Sequence, residues 1–173
     1  MIMKKFLAIV CMMLMSTTAM FAQGEMGLGL NLNYAVSDNY KPFGLGVKFQ
    51  YEFAKNCRGE ALSNYYFPKN DNSVGDLNLN FQYLVHIGDV VTFYPVAGLS
   101  LIDMMITGDT KKVMKALNAD TSKFLVGFNA GVGFEFYLSQ SWKANIEAKY
   151  QYAKSGDWKL DWEPLSIGVA YRF

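Results

Sequence analysis

The sequence is poor in the residues that build small disulfide scaffolds and metal sites. Its 173 residues include two cysteines, four prolines and one histidine. Two cysteines cannot form a disulfide framework, and together with one histidine they do not make a zinc site. The formal net charge is +1, so no excess of either sign indicates nucleic acid as a partner.

Long apolar runs are also absent beyond the first 22 residues. No stretch of eighteen uncharged apolar residues follows them, which excludes a protein that crosses a membrane with helices. Yet 51% of the residues are hydrophobic and 16% are aromatic, which is apolar for a water-soluble domain. The apolar residues must therefore be arranged in another pattern.

The first 22 residues have the character of a secretory signal. Lys4 and Lys5 precede a short apolar run, Phe6–Met15, and small residues follow up to Ala22. This order predicts a cleaved signal peptide at residues 1–22 and a mature domain at residues 23–173; the alternative is an N-terminal anchor helix. Only Cys57 remains after cleavage, so no intrachain disulfide is expected.

From Gly24 onward the dominant sequence period is two, which is typical of strands whose two faces meet different surroundings. Eight such runs occur: Met26–Tyr34, Phe43–Phe53, Arg58–Phe67, Asp76–His86, Val91–Leu101, Phe124–Leu138, Trp142–Tyr152 and Leu165–Phe173. Pro95 lacks a backbone donor, so we expect a bulge or local break there. The runs predict an eight-stranded antiparallel sheet.

The connections between the runs alternate in length. Short ones are predicted at Ala54–Cys57, Ile87–Asp89 and Ser139–Ser141, and longer ones at Ala35–Pro42, Pro68–Gly75, Ile102–Ser122 and Ala153–Leu160. This alternation predicts an up-and-down barrel with all long loops at one end. The even strand number places both termini at the other, short-turn end.

Two eight-stranded barrels fit this pattern: a secreted lipocalin-like barrel with an apolar interior, and an outer-membrane barrel with an apolar exterior. The apolar face carries too many Phe and Tyr rings to fit inside so narrow a barrel. Nine of the fifteen glycines lie on the opposite face, where they would make space for long neighbours. The apolar face is therefore predicted to point outward, into a membrane.

Charged residues within the runs all fall on the predicted inner face, where a charge avoids hydrocarbon. They are Lys48, Arg58, Lys143, Lys149 and Arg172, with Glu52, Glu60, Asp76, Glu135 and Glu147. Five positive and five negative groups predict a neutralised charge network in the lumen; the alternative is an ordinary solvated face. Aromatic residues are predicted at the two membrane interfaces: Trp142, Tyr171 and Phe173 at the short-turn end, and Tyr34, Phe43, Phe67, Tyr152, Trp158 and Trp162 at the long-loop end.

These features resemble those of small eight-stranded outer-membrane β-barrels, such as the barrel of outer membrane protein A and the porin-like barrels of Gram-negative bacteria. The resemblance rests on Leu165–Phe173 (LSIGVAYRF), on the glycine-rich Gly127–Phe136 and on Tyr94-Pro95 with Gly98. It implies an outer-membrane location with periplasmic termini, a monomer, and reading of Tyr171 and Phe173 by the barrel-insertion machinery. The chain ends at its last strand, so tethering through a peptidoglycan-binding domain is not implied.

The sequence offers little for chemistry. His86 has no serine on its strand and is expected to be a structural lumen residue, so no catalytic residue is predicted. We expect no metal site and no cofactor. The loop segment Thr110–Leu117 carries Lys111, Lys112 and Lys115, which could contact an external partner or the phosphates of lipopolysaccharide; the alternative is a short helix over the barrel mouth.

The predicted function is therefore that of a non-enzymatic outer-membrane barrel with a structural or surface-interaction role. A narrow porin-like channel for small solutes or ions is the first alternative. A lipid-modifying enzyme and a soluble lipocalin-like carrier are weaker ones.

Overall fold

Strands make up almost all of the described structure. The computed structural model describes residues 24–37, 41–69, 72–107 and 122–173. Its strands are β1 (Met26–Val36), β2 (Phe43–Ala54), β3 (Cys57–Lys69), β4 (Asn72–Tyr83), β5 (Val85–Ile87), β6 (Val91–Ile106), β7 (Ser122–Tyr137), β8 (Trp142–Ser155) and β9 (Trp158–Arg172). No helix among these residues is both long and apolar enough to span a membrane.

The strands form one closed antiparallel barrel. Apart from β4 and β5, each strand pairs with the next one in the chain, β9 pairs with β1, and the order is β4-β3-β2-β1-β9-β8-β7-β6. A further pairing of β4 with β6 closes the ring. β5 continues β4 against the same partner, β6, so the two together form one strand of the barrel. The barrel therefore has eight strands, which confirms the predicted fold.

The first and the last strand meet at the short-turn end. The amide of Met26 donates to the Phe173 carbonyl at 3.3 Å, and the amide of Phe173 donates to the Met26 carbonyl at 3.0 Å. The Arg172 amide also bonds Ser141, in the short connection between β7 and β8, at 2.7 Å. The opposite end holds the connection between β6 and β7, which is the longest in the barrel.

The outer wall is apolar and the interior is polar. Leu30, Leu99 and Ile167, near the middle of their strands, are 62%, 63% and 65% exposed. Their neighbours along the strands, Asn31 and Ser100, are buried inside. This orientation confirms the predicted one and excludes the lipocalin-like alternative, because that barrel would place the apolar side chains inside.

The lengths of two connections were predicted wrongly. The segments Pro68–Gly75 and Ala153–Leu160 were expected to be long loops, but only residues 70–71 and 156–157 separate the strands there. Gly156 supplies the turn between β8 and β9 with a φ of 59°, a conformation that glycine adopts without steric cost. As a result β9 begins at Trp158, whereas the predicted strand begins at Leu165.

Pro95 does not bend its own strand. β6 runs without interruption past Pro95, and the irregularity lies in its partner, at Leu84 between β4 and β5. The Leu84 amide donates a hydrogen bond to the Asn56 carbonyl at 2.7 Å, and the Asn56 side chain donates one to the Leu84 carbonyl at 2.6 Å. The missing proline donor therefore interrupts the ladder opposite it, and a neighbouring turn satisfies the displaced backbone groups.

Candidate functional site: the filled interior of the barrel

The short-turn half of the interior is organised around Arg58, which is fully buried. Its guanidinium donates two parallel hydrogen bonds of 3.0 and 2.5 Å to the Glu135 carboxylate, the geometry that arginine favours for carboxylates. Its Nε donates to Gln82 at 2.6 Å. The guanidinium carbon lies 5.2 Å from the ring centre of Tyr94, a cation–π distance.

A second cation and a second carboxylate complete this cluster. The ammonium of Lys143 lies 2.9 Å from Glu135 and 4.0 Å from Glu52. Glu52 is also 3.5 Å from Arg58. The four groups of this cluster, which we call the arginine cluster (Arg58, Glu135, Lys143, Glu52), thus alternate in sign and neutralise one another, as a buried set of charges must.

The middle of the interior holds two further charged residues, Lys48 and Glu60, each hydrogen-bonded to amide side chains. Lys48 donates to the Asn145 side chain at 2.5 Å. Glu60 accepts from Gln50 at 2.9 Å and from Asn80 at 3.0 Å. These contacts satisfy charges that would be costly if left bare.

Lys149 and Glu147 form a separate ion pair at 2.9 Å, with side chains 4% and 3% exposed. Nearer the long-loop end, Asp76 accepts from Asn64 at 2.7 Å and from Asn78 at 2.9 Å. The Asn78 side-chain oxygen in turn accepts from Ser100 at 2.6 Å and from Gln151 at 3.0 Å. Polar contacts therefore run across the barrel through its central layers.

Small residues on the inner face make this packing possible. A Cβ atom built on Gly133 would overlap the ring of Tyr94, and one built on Gly168 would overlap the side chain of Asn31. Both glycines are buried on the inner face. Their lack of a side chain is therefore what allows the large neighbours to fill the lumen.

At the long-loop end the interior changes from polar to apolar. The cluster that we call the apolar plug consists of Ala35, Tyr66, Val74, Ile102, Leu125, Ala153, Leu160 and Trp162. The rings of Tyr66 and Trp162 lie 4.6 Å apart between centres. Trp162 donates from its indole nitrogen to Gln151 at 2.7 Å, which joins the plug to the polar layers.

The position of Trp162 corrects a prediction. It was expected among the aromatic side chains at the outer membrane interface, but it is 1% exposed and points inward. The outward positions of β9 at this level carry Lys159, Asp161 and Glu163, which are exposed. The polarity of the two faces is thus reversed here, because these parts of the strands extend past the hydrocarbon and enclose a core like that of a soluble protein.

The structure places most of the predicted lumen charges inside and brings them into contact. Arg172 differs: it lies at the short-turn rim and pairs with Glu25 at 2.9 Å, with side chains 24% and 54% exposed. Without Arg172, the described residues place four cations and five carboxylates in the interior. Tyr171 and Phe173 are exposed on the outer wall, whereas Lys111, Lys112 and Lys115 lie outside the described residues.

The described residues do not bring together a reactive constellation. His86 is exposed at the short-turn rim, where its Nδ1 lies 2.8 Å from the Thr92 hydroxyl. No group of three His, Cys, Asp or Glu residues that could hold a metal occurs in the described part of the chain. Cys57, also there, is a free thiol.

Comparison with protein-family models assigns the chain to a family. The family model of the outer membrane protein beta-barrel domain matches residues 7–173. The chain is also similar to the 25 kDa outer-membrane immunogenic protein of Brucella ovis, with 37% identity over 68 residues, 39% of this chain and 32% of that protein. The match thus spans about a third of that relative's length.

Solved structures share the fold at low identity. Neisserial surface protein A superposes with a TM-score of 0.65 and 16% identity, covering 87% of this chain and 97% of the other. The N-terminal β-barrel domain of Pseudomonas aeruginosa OprF gives 0.65 and 16%, covering 87% and 100%. Ail, the attachment invasion locus protein of Yersinia pestis, gives 0.55 and 19%, covering 87% and 97%. With its closed eight-stranded barrel and a family match over almost its whole length, the chain belongs to the outer membrane protein β-barrel domain family of Gram-negative bacteria.

Proposed function

We propose that this protein is a sealed, non-enzymatic barrel that stabilises the outer membrane and presents its longer connections outside the cell. The termini and short turns then face the periplasm, as is usual for barrels with longer external loops. The 16-residue strands β6 and β7 exceed the 9–11 residues or so that a bilayer needs. Their excess length would raise the long-loop end above the membrane.

The filled interior is the observation that carries this proposal. A permeating ion would have to pass the arginine cluster, the central polar layers and the apolar plug in turn. Separating the bidentate Arg58–Glu135 contact would leave Arg58 with Glu52 and Glu135 with Lys143. Opening the whole arginine cluster would leave buried charges unpaired, at a cost of several kcal/mol. Beyond it, the side chains of the apolar plug are mostly hydrocarbon and cannot replace an ion's hydration shell.

The surface role rests on the exposed end and on the character of the relatives. The Brucella ovis relative is described as an immunogenic outer-membrane protein, and Ail as an attachment invasion locus protein. Those descriptions concern those proteins. For this chain they support the proposal that contacts are made by the connections at the long-loop end, including the segment with Lys111, Lys112 and Lys115.

A narrow cation channel is the second candidate, and two observations favour it. Several buried polar atoms have no protein partner, among them Oδ2 of Asp76, Nε2 of Gln82 and Nδ2 of Asn145. Such atoms favour water inside the barrel. In the described part of the barrel the interior also holds one more carboxylate than cation, which would favour a positive permeant ion.

Planar-bilayer recording separates the two candidates. Insertion is verified first, by the resistance of the folded barrel to protease. The inserted wild-type protein is expected to give no stable openings in 1 M KCl. Stable, cation-selective openings would refute the sealed barrel and establish the channel. A deletion strain that shows normal envelope permeability to dyes and normal surface adhesion would refute the structural and surface roles.

A further inference from the structure

The charges inside the barrel do not balance above the arginine cluster. The cluster itself is neutral, because its two cations face two carboxylates. Between it and the apolar plug, the described residues place two cations and three carboxylates, all more than nine-tenths buried: Lys48, Lys149, Glu60, Glu147 and Asp76. One negative charge in these layers therefore has no resident counter-charge.

The contacts of these five groups assign the excess charge to Asp76. Lys149 lies 2.9 Å from Glu147, and the carboxylate that acts most strongly on Lys48 is Glu60. Among the described residues no cation lies within ion-pairing distance of Asp76. Once Lys149 is matched with Glu147 and Lys48 with Glu60, the Asp76 carboxylate is the one that remains.

The two oxygen atoms of the Asp76 carboxylate have different surroundings. Oδ1 accepts hydrogen bonds from Asn64 at 2.7 Å and from Asn78 at 2.9 Å. Oδ2 is buried and has no hydrogen-bond partner. A buried polar atom of this kind is commonly satisfied by a water molecule or an ion. Neutral amides and water can solvate the carboxylate, but only a cation supplies the missing charge.

A further oxygen atom without a donor lies in the adjoining polar layer. Asn78, which contacts Asp76, accepts a hydrogen bond from the Asn129 side chain at 3.3 Å. The Asn129 nitrogen also donates to Ser100 at 3.0 Å, whereas its Oδ1 is buried and unpartnered. Carboxylate and amide oxygens are the ligands that hard cations take in proteins. The surroundings of Asp76 therefore offer what such a cation needs.

The position of Asp76 makes its unpaired charge costly. Val74, two residues away on β4, and Ile102, its partner on β6, both belong to the apolar plug. A carboxylate beside such a hydrocarbon core loses much of its hydration, so its charge needs compensation. A single excess charge calls for a monovalent ion, since calcium sites draw on several carboxylates.

We propose that the interior binds one alkali-metal cation, held by Oδ2 of Asp76 and, directly or through water, by amide oxygen atoms that include Oδ1 of Asn129. With this ion the charges of the described interior sum to zero. The cation is a structural ligand of the filled barrel, a role beyond the proposed function. It depends neither on the orientation of the barrel in the membrane nor on its seal.

The test is urea unfolding of the full chain in phosphatidylcholine vesicles near pH 8. Sodium chloride is varied, and N-methyl-D-glucamine chloride, whose cation is too large for a buried layer, keeps the ionic strength constant. A ligand that binds only the folded state raises the folding constant by the factor 1 + [L]/Kd, so a site half-filled at about 50 mM gives about a tenfold rise between about 5 and 500 mM sodium. A wild-type folding constant that does not respond to sodium would overturn the proposal.

Two matched variants locate the response. Asp76→Asn should abolish it and, without sodium, should be at least as stable as the wild type, because the unpaired charge is gone. Asp103→Asn makes the same change next to Ile102, on the opposite face of β6 and partly exposed, and should keep the tenfold response. Equal sodium responses of the two variants would overturn the site.

A third variant tests the amide ligand and keeps the proposal falsifiable if Asp76→Asn does not fold. Asn129→Leu removes the unpartnered oxygen at similar volume and should reduce the response to threefold or less. An unchanged response would overturn the part assigned to Asn129. Resistance to protease shows that each variant has folded.

Two other occupants give different results. A proton on Oδ2 of Asp76 would make the wild type more stable near pH 6 than near pH 8, with no response to sodium, and would overturn the proposal. Magnesium that stabilises more than sodium at equal concentration would overturn the choice of a monovalent ion. Because unfolding is measured without a membrane potential, openings in planar bilayers would refute the sealed barrel and leave a sodium response standing.

Discussion

Neutralising Glu135 is the sharpest test of the filled interior. This carboxylate accepts both arms of Arg58 and lies 2.9 Å from the Lys143 ammonium. The change Glu135→Gln keeps the side-chain volume, removes the charge and replaces one of the two acceptor oxygens with an amide donor. It leaves two buried cations with Glu52 as their remaining nearby carboxylate, at 3.5 and 4.0 Å.

The expected magnitude follows from this geometry. Breaking a buried ion pair by removing one partner costs about 3–5 kcal/mol. Glu52 still compensates part of the positive charge that Glu135 no longer pairs. We therefore expect a loss near the lower limit, about 3 kcal/mol in the free energy of unfolding. The matched control is Glu25→Gln, which breaks the exposed pair with Arg172 and should cost no more than about 1 kcal/mol.

The assay is reversible urea unfolding of the protein in phosphatidylcholine vesicles, followed by tryptophan fluorescence. Arg58→Met and the double variant Arg58→Met/Glu135→Gln complete a double-mutant cycle. The double variant should be more stable than the sum of the single losses predicts, by about 1–3 kcal/mol, because contacting residues are coupled. Equal stabilities of Glu135→Gln and Glu25→Gln, or strict additivity in the cycle, would refute the reasoning.

Three other predictions concern the wall, the packing and the plug. Leu30→Arg places a charge at mid-membrane on the outer wall and should lower the free energy of unfolding by about 2–4 kcal/mol. Phe53→Arg, near the short-turn end, should lower it by about 0–1 kcal/mol. Equal unfolding free energies of the two variants would contradict the assigned orientation. Gly133→Val should lose about 1–3 kcal/mol or fail to fold because of overpacking, while Gly75→Val, where an added Cβ would have no neighbour closer than 3.9 Å, should fold normally; heat-modified gel mobility measures both. Brominated lipid should quench Trp142 on the outer wall and spare Trp158 and Trp162, which lie past the hydrocarbon and inside the barrel, respectively; in a Trp158→Phe background, Trp162→Phe should remove the unquenched emission, and complete quenching in that background would contradict the inward position of Trp162.

The membrane-spanning part of the barrel could be predicted from the sequence because the hydrocarbon outside and the narrow lumen inside require opposite residue types throughout. Hydrocarbon requires an apolar residue at each outward position, and the narrow lumen requires polar or small residues at each inward one. Leu30 and Asn31 follow this rule, and so do the other pairs along the central strands. A period of two with constant polarity therefore located the strands and their inner face.

The same rule fails beyond the membrane. There water lies outside and the plug lies inside, so Leu160 and Trp162 point inward while Lys159 and Asp161 point outward. The period of two continues, but its polarity is reversed, which made a strand resemble a loop. The dipeptide Gly156-Asp157 after β8 was the available signal for a tight hairpin.

The partners within the lumen could not be predicted from local sequence. Arg58 and Glu135 are separated by 77 positions, and their meeting depends on the stagger of the closed barrel. The sequence predicted which groups face inward, but their pairing follows from strand register. Arg172 shows the limit: its inward position at the end of β9 leaves it at the rim, where Glu25 is closer than any lumen acid.

The hydrogen bonds between β1 and β9 have a consequence for biogenesis. The wall is continuous only when the earliest strand of the barrel finds the last one, so no partial product of translation has a complete ring of backbone bonds. An open edge in hydrocarbon would be very costly. The ring of backbone bonds can therefore close only after β9 has been synthesised, and until then the edges of β1 and of the strands already formed must be covered by something other than lipid.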